Sequence, residues 1–405
     1  MATKTTPVAN LRIEKKTTVH LENGQLDGGL YEEGVPINKT AENVCALTLT
    51  GPTSLVYTYA NAIRRTLIGE VPYAAFCPTS RVETRFERNS TLFDDEFLRL
   101  RVSMVPLSLA PGRAERRRGV FDWTGGRPPI YHASKVGSAG GGGCGFTAGD
   151  LVGATAAADG RHANDDLLLL PDPLTRHYPL IAKLREGEEL EVTCRPRIDI
   201  GRNHTAFSPV GTVGYVVLPP TPGSGEQTIE LTVEANNAPG PTAAQHVYDA
   251  LYWAECHLRD LSSKVNGACD DRASLHSAMT PVAVDVVICG EHDTRGNLVA
   301  TELRHLFMNP TKDVPSLKFA GYKVPHPLKK EILVRLQPLP EPGAPTGGSK
   351  DTALERKQRL EMLRELAKNK LHLAINSSID RWGSLREQWG GANEILVPTI
   401  EDIRE

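Results

Sequence analysis

The chain has 405 residues, more than the roughly 100–200 of one ordinary domain, so two or three packed units are expected. Its 46 Lys and Arg against 49 Asp and Glu give a net charge of -3, which excludes a protein whose main task is to coat nucleic acid. With 36 glycines and 29 prolines, above the roughly 12% share of average chains, long connections are expected beside the cores.

Residues 1–42 read as a polar arm with turn pairs at Asn23-Gly24 and Gly28-Gly29 and a short strand around Leu11-Arg12-Ile13. Val44 to Leu49 is β-rich, Gly51-Pro52 breaks it, and Ser54 stands where a helix cap is expected. Val56, Tyr59, Ala60, Ile63 and Leu67 follow at helical spacing, which buries one face and ends before Val71-Pro72. A strand is predicted over Arg81 to Phe86 and a short helix over Leu92 to Leu98. From about 110 to 195 the texture changes. Arg116 to Arg118, Gly140 to Gly143, Ala154 to Ala158 and Asp165-Asp166 leave few periodic apolar positions, so this stretch reads as an insertion with mobile parts.

Strands return at Glu189 to Cys194, Thr212 to Leu218 and Gln227 to Glu234. Pro239-Gly240-Pro241 then leads into a helix over 242–265 with Val247, Leu251, Ala254, Leu258 and Leu261 on one face. Asn266 to Pro281 reads as a polar linker. Beyond it Val284 to Ile288 is a strand, Asp293 or Thr294 caps a helix carrying Leu298, Leu303, Leu306 and Phe307, and Ile332 to Leu336 is another strand. After Pro338 to Ser349, a long helix over 351–389 carries Leu360, Leu363, Ala367, Leu371, Ala374 and Trp382 near heptad spacing. The order strand, helix, strands, long helix thus occurs twice, the pattern of a pseudo-symmetric dimer whose protomers are fused.

Several chemistries are not written here. Seven scattered cysteines without a Cys-x-x-Cys pair give neither a disulfide framework nor a zinc knuckle, so reduced thiols are expected. Gly140 to Gly145 is followed by no Lys-Ser or Lys-Thr and cannot work as a phosphate loop. Asp95 and Glu96 are adjacent, and neighbouring helical residues diverge by ~100° and do not converge on one substrate. No run approaches the ~18 apolar residues of a membrane helix, and the first residues lead into no secretory segment, so a soluble intracellular protein is expected.

Two stretches are more specific. Tyr59 to Pro72 (YANAIRRTLIGEVP), followed by Asn89 to Phe97 (NSTLFDDEF) and Arg101 to Leu107 (RVSMVPL), resembles the third-largest, α-like subunit of multisubunit RNA polymerases. Pro196 to Pro209, with Gly201, His204, Ala206, Phe207, Ser208 and Pro209, is similar to a further segment of that subunit. Glu291 to Val299 (EHDTRGNLV) and Phe319 to Leu328 (FAGYKVPHPL) resemble its smaller α-like partner, the eleventh subunit. The order is that of a tandem fusion, of the kind found in large DNA viruses of eukaryotes.

The resemblance implies an α+β fold of two α-like dimerisation units fused as a pseudo-dimer. The larger unit spans 43–110 and 206–266, interrupted by an insertion at 111–205; 1–42 is an arm, 267–281 a linker, 282–392 the smaller unit and 393–405 a tail. It implies an assembly platform for viral transcription, without catalytic residues of its own, docking the second-largest and largest polymerase subunits, with small zinc-binding subunits as further candidates. DNA would be met only indirectly and a membrane not at all. No cofactor and no metal are carried over, because the insertion holds only Cys144 and Cys194. Location would follow the polymerase, in a host nucleus, a cytoplasmic viral factory or the virion.

By the same resemblance Arg64, Arg65, Asp95, Glu96, Arg202 and His204 face the second-largest subunit, with Arg65 foremost because its planar fork suits carboxylates and carbonyls. Asn61, Ile63, Leu67, Leu251, Leu258, Asn297, Leu298, Leu363 and Leu371 would join the two units, the two amides satisfying nearby backbone. Tyr322, Lys323, Pro325 and His326 would form a rigid extended contact edge, as the prolines fix φ. The alternative is a stand-alone nucleic-acid-binding or scaffold protein using Arg113 to Arg118 and Lys329-Lys330.

Overall fold

The computed structural model describes residues 11–16, 44–109, 130–138, 144–153, 167–169, 171, 177–220, 223, 225–235, 242–265, 273–277, 283–308, 316–339 and 353–393. The runs Asn23-Gly24, Gly28-Gly29, Arg113 to Arg118, Gly140 to Gly143, Ala154 to Ala158 and Asp165-Asp166, the Pro239-Gly240-Pro241 turn and the tail from 394 lie outside these residues, as does the side chain of Leu360.

In chain order the elements are β1 (Arg12–Lys15), β2 (Val44–Pro52), α1 (Thr53–Gly69), β3 (Pro72–Phe76), β4 (Thr84–Asn89), α2 (Asp95–Ser103), β5 (Ser108–Leu109), β6 (Tyr131–Val136), β7 (Cys144–Thr147), β8 (Val152–Gly153) and β9 (Leu167–Leu168). Then come β10 (Leu180–Leu184), β11 (Glu189–Cys194), β12 (Pro196–Ile200), β13 (Val210–Val217), β14 (Glu226–Ala235) and α3 (Ala243–Val265). The rest is β15 (Ala273–Ser277), β16 (Val284–Cys289), α4 (Asp293–Phe307), β17 (Leu317–Lys323), β18 (Glu331–Pro338) and α5 (Ala353–Ala392). The fold is mixed α+β with several sheets.

Two four-stranded antiparallel sheets share one plan. One runs β1-β2-β14-β13 and the other β15-β16-β18-β17, each with a helix after its second strand in chain order and another after its fourth. Strict alternation makes both work: β14 and β18 bury every second side chain, which places one row on one face of a pleated strand. Across the register Leu49 sits opposite Ile229 and Leu47 opposite Leu231; in the other sheet Val286 sits opposite Val334 and Ile288 opposite Ile332. All these faces, together with α1, α3, α4 and α5, meet in one continuous core in which Tyr59 and Trp382 are tilted together at 5.1 Å between ring centroids. Each fully buried Leu or Ile there contributes roughly 1.5–3 kcal/mol relative to exposure.

The stretch from about 110 to 195, read as an insertion with mobile parts, carries β6 to β11 among its described residues, of which β11 alone was expected. A second core gathers Phe146, Leu184, Leu190 and Val192 from it with Phe76 and Leu98 from the segment before it. Packing therefore divides the chain near Val71, where α1 ends and β3 turns away. Two contacts tie this layer back: Tyr73 meets His246 of α3 edge-on at 6.1 Å, and the turn after β12 presses on the end of α1. Gly201 makes that pressure feasible, since a Cβ there would lie 2.1 Å from the Ile68 carbonyl oxygen.

Other boundaries move for local reasons. α1 begins at Thr53 after Pro52, and no side chain caps it, so Ser54 is inside the helix. α2 begins at Asp95 because Asp94 accepts from Phe97 N, which leaves Leu92 and Phe93 ahead of the helix. α4 is capped by His292 instead of Asp293 or Thr294. The predicted linker holds β15, which completes its sheet along β16.

Candidate functional site

The residues expected to join the units lie where α1 crosses α4 and α3 runs along α5. Ile63, Leu67, Leu251, Leu258, Leu298 and Leu371 are buried in the shared core, and Leu363 packs partly against it. The α1–α4 contacts run antiparallel: Ser54 Oγ meets His305 Nδ1 at 3.1 Å, Thr58 Oγ1 meets Thr301 Oγ1 at 3.2 Å, and Arg65 Nη1 meets Asp293 Oδ2 at 2.9 Å. Asn61 and Asn297 are half-buried. The Asn61 carbonyl oxygen accepts from Arg64 at 3.0 and 3.2 Å, so its partner is a side chain and not the expected backbone.

One end of this crossing is built on Glu302, whose side chain is wholly buried. Tyr59 Oη donates to Glu302 Oε1 at 2.8 Å, Arg381 Nε donates to the same oxygen at 2.8 Å, and Ser377 Oγ donates to Oε2 at 3.2 Å. Ser378 Oγ lies 2.8 Å from the Tyr59 hydroxyl. Since that hydroxyl already gives its proton to the carboxylate, Ser378 is the donor. Burial, then the Glu302 charge, pushes the Tyr59 phenol well above its ordinary range. The cluster stitches α1, α4 and α5 together with every carboxylate oxygen satisfied, which a buried charge requires.

The other end is built on Glu70, just beyond α1 and 4% exposed. Arg295 Nη1 donates to Oε2 at 2.9 Å, and Arg202 Nη2 reaches Oε1 from the turn that Gly201 brings close. His292 Nε2 lies 3.0 Å from Oε1; His257 Nδ1 is 3.0 Å from Oε2, at ion-pair distance without hydrogen-bond alignment. Burial alone would raise the Glu70 carboxyl, but the two imidazoles and the Arg295 charge outweigh it and hold it well below the carboxylate range. Around it Glu291 takes Arg295 and Lys264, the latter at 2.6 Å.

His292 serves two purposes. Its Nδ1 accepts from Thr294 N at 3.4 Å as the α4 cap, while its Nε2 lies 3.0 Å from Glu70 Oε1 and 2.7 Å from Arg202 Nη2. Protonation would remove the cap and set a cation on a helix N-terminus. Burial, assisted by the Arg295 and Arg202 charges against the opposing pull of Glu70, lowers its pKa.

Of the six residues expected to face a partner, Arg65 and Arg202 meet in this region, and both already hold carboxylates of the chain itself, Asp293 and Glu70. Asp95 and Glu96 stand apart on α2, where Asp95 Oδ1 accepts from Asn89 Nδ2 at 2.8 Å and Glu96 pairs with Arg81 at 2.8 Å. His204 Nδ1 accepts from Ala206 N at 3.1 Å and caps a single 3₁₀ turn. Tyr322 donates to Asp293 Oδ1 at 2.7 Å, with Gly296 leaving room for its ring: a Cβ there would lie 2.5 Å from the ring edge. The expected extended edge stops at Lys323. Pro325 and His326 belong to a turn closed by Lys329 N donating to His326 O at 3.1 Å.

The pattern missed Glu70, Glu302 and Arg381. Glu70 and Glu302 lie inside stretches that carry signal, but a charged residue on a helix reads as solvated until its distant partner is known. Among the described residues no group of three or more His, Cys, Asp or Glu is placed to hold a metal ion, and no helix is long and apolar enough to cross a membrane. The described cysteines are all unpaired. A carboxylate whose two oxygens are both in ion pairs is a fastener, not a proton acceptor near neutral pH.

No family model matches the chain. It is similar to RNA polymerase subunits. It is 28% identical over 173 residues to the DNA-directed RNA polymerases I and III subunit rpac1 of Dictyostelium discoideum, covering 40% of this chain and 46% of that one. It is 30% identical over 172 residues to the DNA-directed RNA polymerases IV and V subunit 3B of Arabidopsis thaliana, covering 40% and 50%. It is 28% identical over 191 residues to the DNA-directed RNA polymerase II subunit RPB3 of Schizosaccharomyces pombe, covering 45% and 59%. The chain spans about half the length of the curated relatives it matches.

Proposed function

We propose that the chain is a non-catalytic platform subunit of a multisubunit DNA-directed RNA polymerase, with two α-like units fused as a pseudo-dimer onto which the second-largest and then the largest subunit dock. The observation that carries this reading is the repeated sheet plan, β1-β2-β14-β13 and β15-β16-β18-β17, closed over one core by α1 against α4 and α3 against α5. The similarity to polymerase subunits supports it. Its mechanism is preorganisation. Association of separate units costs roughly 4–15 kcal/mol of translational and rotational freedom, whereas a covalent link gives an effective concentration in the millimolar range. Phosphoryl transfer would belong to the partners, DNA would be met through them, and small zinc-binding subunits are further partners. The chain would work where its polymerase works, in a host nucleus or a cytoplasmic viral factory.

The test is a mass-spectrometric inventory of what co-purifies with the full chain from its native source, beside a nucleotidyl-transfer assay of the chain alone. The expected result is polymerase subunits in the inventory and no transfer by the isolated chain. Transfer by the isolated chain, or an inventory without a second-largest subunit, would overturn the reading. Arg65→Ala is expected to weaken capture of that subunit while the fold survives.

A further inference from the structure

The β17–β18 hairpin carries charge that the fold does not use. β17 is the outer strand of its sheet, and every residue from Lys323 to Lys330 is exposed. Lys318, Lys323, Lys329 and Lys330 have no ion pair and no side-chain hydrogen bond among the described residues. Glu331 is the one carboxylate between Leu317 and Glu331. Elsewhere on the surface some cations are matched, Arg81 by Glu96, Arg88 by Glu189 and Lys135 by Asp150, and the unmatched ones, such as Lys15, Lys183 and Arg195, are scattered through the sequence instead of gathered on one hairpin. Asp293, the carboxylate of α4 nearest in the packing, is already held by Tyr322 and Arg65.

The backbone beneath these side chains is fixed. Leu328 N donates to His326 Nδ1 at 3.1 Å, Lys329 N to His326 O at 3.1 Å, Glu331 N to Lys329 O at 2.9 Å, and Gly290 N to Lys330 O at 2.6 Å. Pro325 and Pro327 set their own φ. Apolar groups project from the same hairpin: Leu328 is 87% exposed, with Phe319 and Val324 also exposed. Lysines on an edge strand keep other strands away, which accounts for Lys318 and Lys323. It does not account for Lys329 and Lys330, which lie beyond β17, or for a leucine held outward by the turn.

We propose that this hairpin is a docking site for an acidic segment of a partner protein, with apolar side chains between its carboxylates. The unmatched lysines take the carboxylates, and Leu328, Val324 and Phe319 take the apolar groups. A tip already rigid loses little conformational freedom on binding. Nucleic acid fits less well, because 317–331 offers no arginine and, with Tyr322 held by Asp293, leaves Phe319 as its single exposed Phe, Tyr or Trp on which a base could stack. The inference rests on the platform reading proposed above, within which Tyr322, Lys323, Pro325 and His326 were expected to make contact, and adds the chemistry of what is contacted.

The experiment is fluorescence anisotropy of a short labelled peptide of alternating glutamate and leucine titrated with the full chain, with unlabelled single-stranded poly-dT as competitor. Binding is expected to weaken roughly tenfold to a hundredfold when Lys329→Glu and Lys330→Glu are combined, and roughly fivefold or more for Leu328→Ser. Poly-dT should fail to displace the peptide. Lys329→Gln with Lys330→Gln repeats the charge test without adding acid, and thermal melts should match the parent chain because these side chains are exposed. No peptide binding by the parent chain, undiminished binding by the variants, or displacement by poly-dT would overturn the site. Failure here with polymerase subunits still in the co-purification inventory removes the hairpin site alone; an inventory lacking them removes the platform and leaves the peptide result standing.

Discussion

The two ends of the α1–α4 crossing solve one problem with different chemistry. At one end Glu302 is wholly enclosed and held by two hydroxyls and a guanidinium, groups that keep their charge state around neutral pH. At the other, Glu70 sits under a rim that is partly open, held by two guanidinia and two imidazoles. The first end has few alternatives and fixes the angle of the helices. The second end recruits the turn after β12 as well, through Arg202, so it also joins the second core to the first. Rigidity and adjustability are thus separated along one helix pair.

The sharpest break in this comparison is expected from Glu302→Ala. It strips Arg381 of its carboxylate in a closed site and should cost about 3–5 kcal/mol in chemical denaturation; a loss below about 1 kcal/mol would mean that Glu302 fixes nothing. Next comes acid. His246, pushed down to about 4 by burial, and His292, also lowered first by burial, are neutral in the fold and protonated in the unfolded chain below about pH 6.5. The unfolded state then binds more protons, so stability should fall as pH drops from about 6.5, with His246 contributing about 3 kcal/mol by pH 4. Glu70 has the depressed carboxyl, so its contribution is present above the ordinary carboxylate range and is lost only at lower pH, after the histidines. His292→Asn keeps a helix cap but cannot titrate, and melts taken between pH 4.5 and 7 should show a shallower pH slope; an unchanged slope would detach the acid response from this end. Glu70→Gln should cost about 2–3 kcal/mol, less than Glu302→Ala, because its cations reach solvent. The smallest effect belongs to Arg65→Ala, whose pair with Asp293 is half exposed and worth under about 1 kcal/mol in melts.

The long helices, the first repeated sheet and the inner strands β16 and β18 of the second were legible because their signals are local, whereas β15 fell in the expected linker and β17 was not read as a strand. Val56, Tyr59, Ile63 and Leu67 repeat at helical spacing, and β14 and β18 alternate without a break. The second core was not, because its strands are short and Gly- and Arg-rich stretches between them dilute any period around Phe146, Leu184 and Val192. The site was legible in part. The motifs brought out Arg65, Arg202 and Tyr322, but Arg202 and Arg295 stand 132 and 225 residues from Glu70, and no period spans such a distance. Nor does a capping histidine announce itself: His292 follows a glutamate and precedes an aspartate, either a commoner helix-terminus residue.

Gln388 Nε2 of α5 donates to the Leu11 carbonyl and its Oε1 accepts from Ile13 N, contacts across 377 and 375 residues. β2 must likewise wait for β14, which follows only after the whole second core has been made. On a ribosome the first strands would therefore emerge long before the partners that satisfy them, their apolar faces open to aggregation. The second core, closed among nearer residues, can form meanwhile, so the chain is expected to fold from its middle outward and to gain its final cooperativity only when α5 has cleared the exit tunnel.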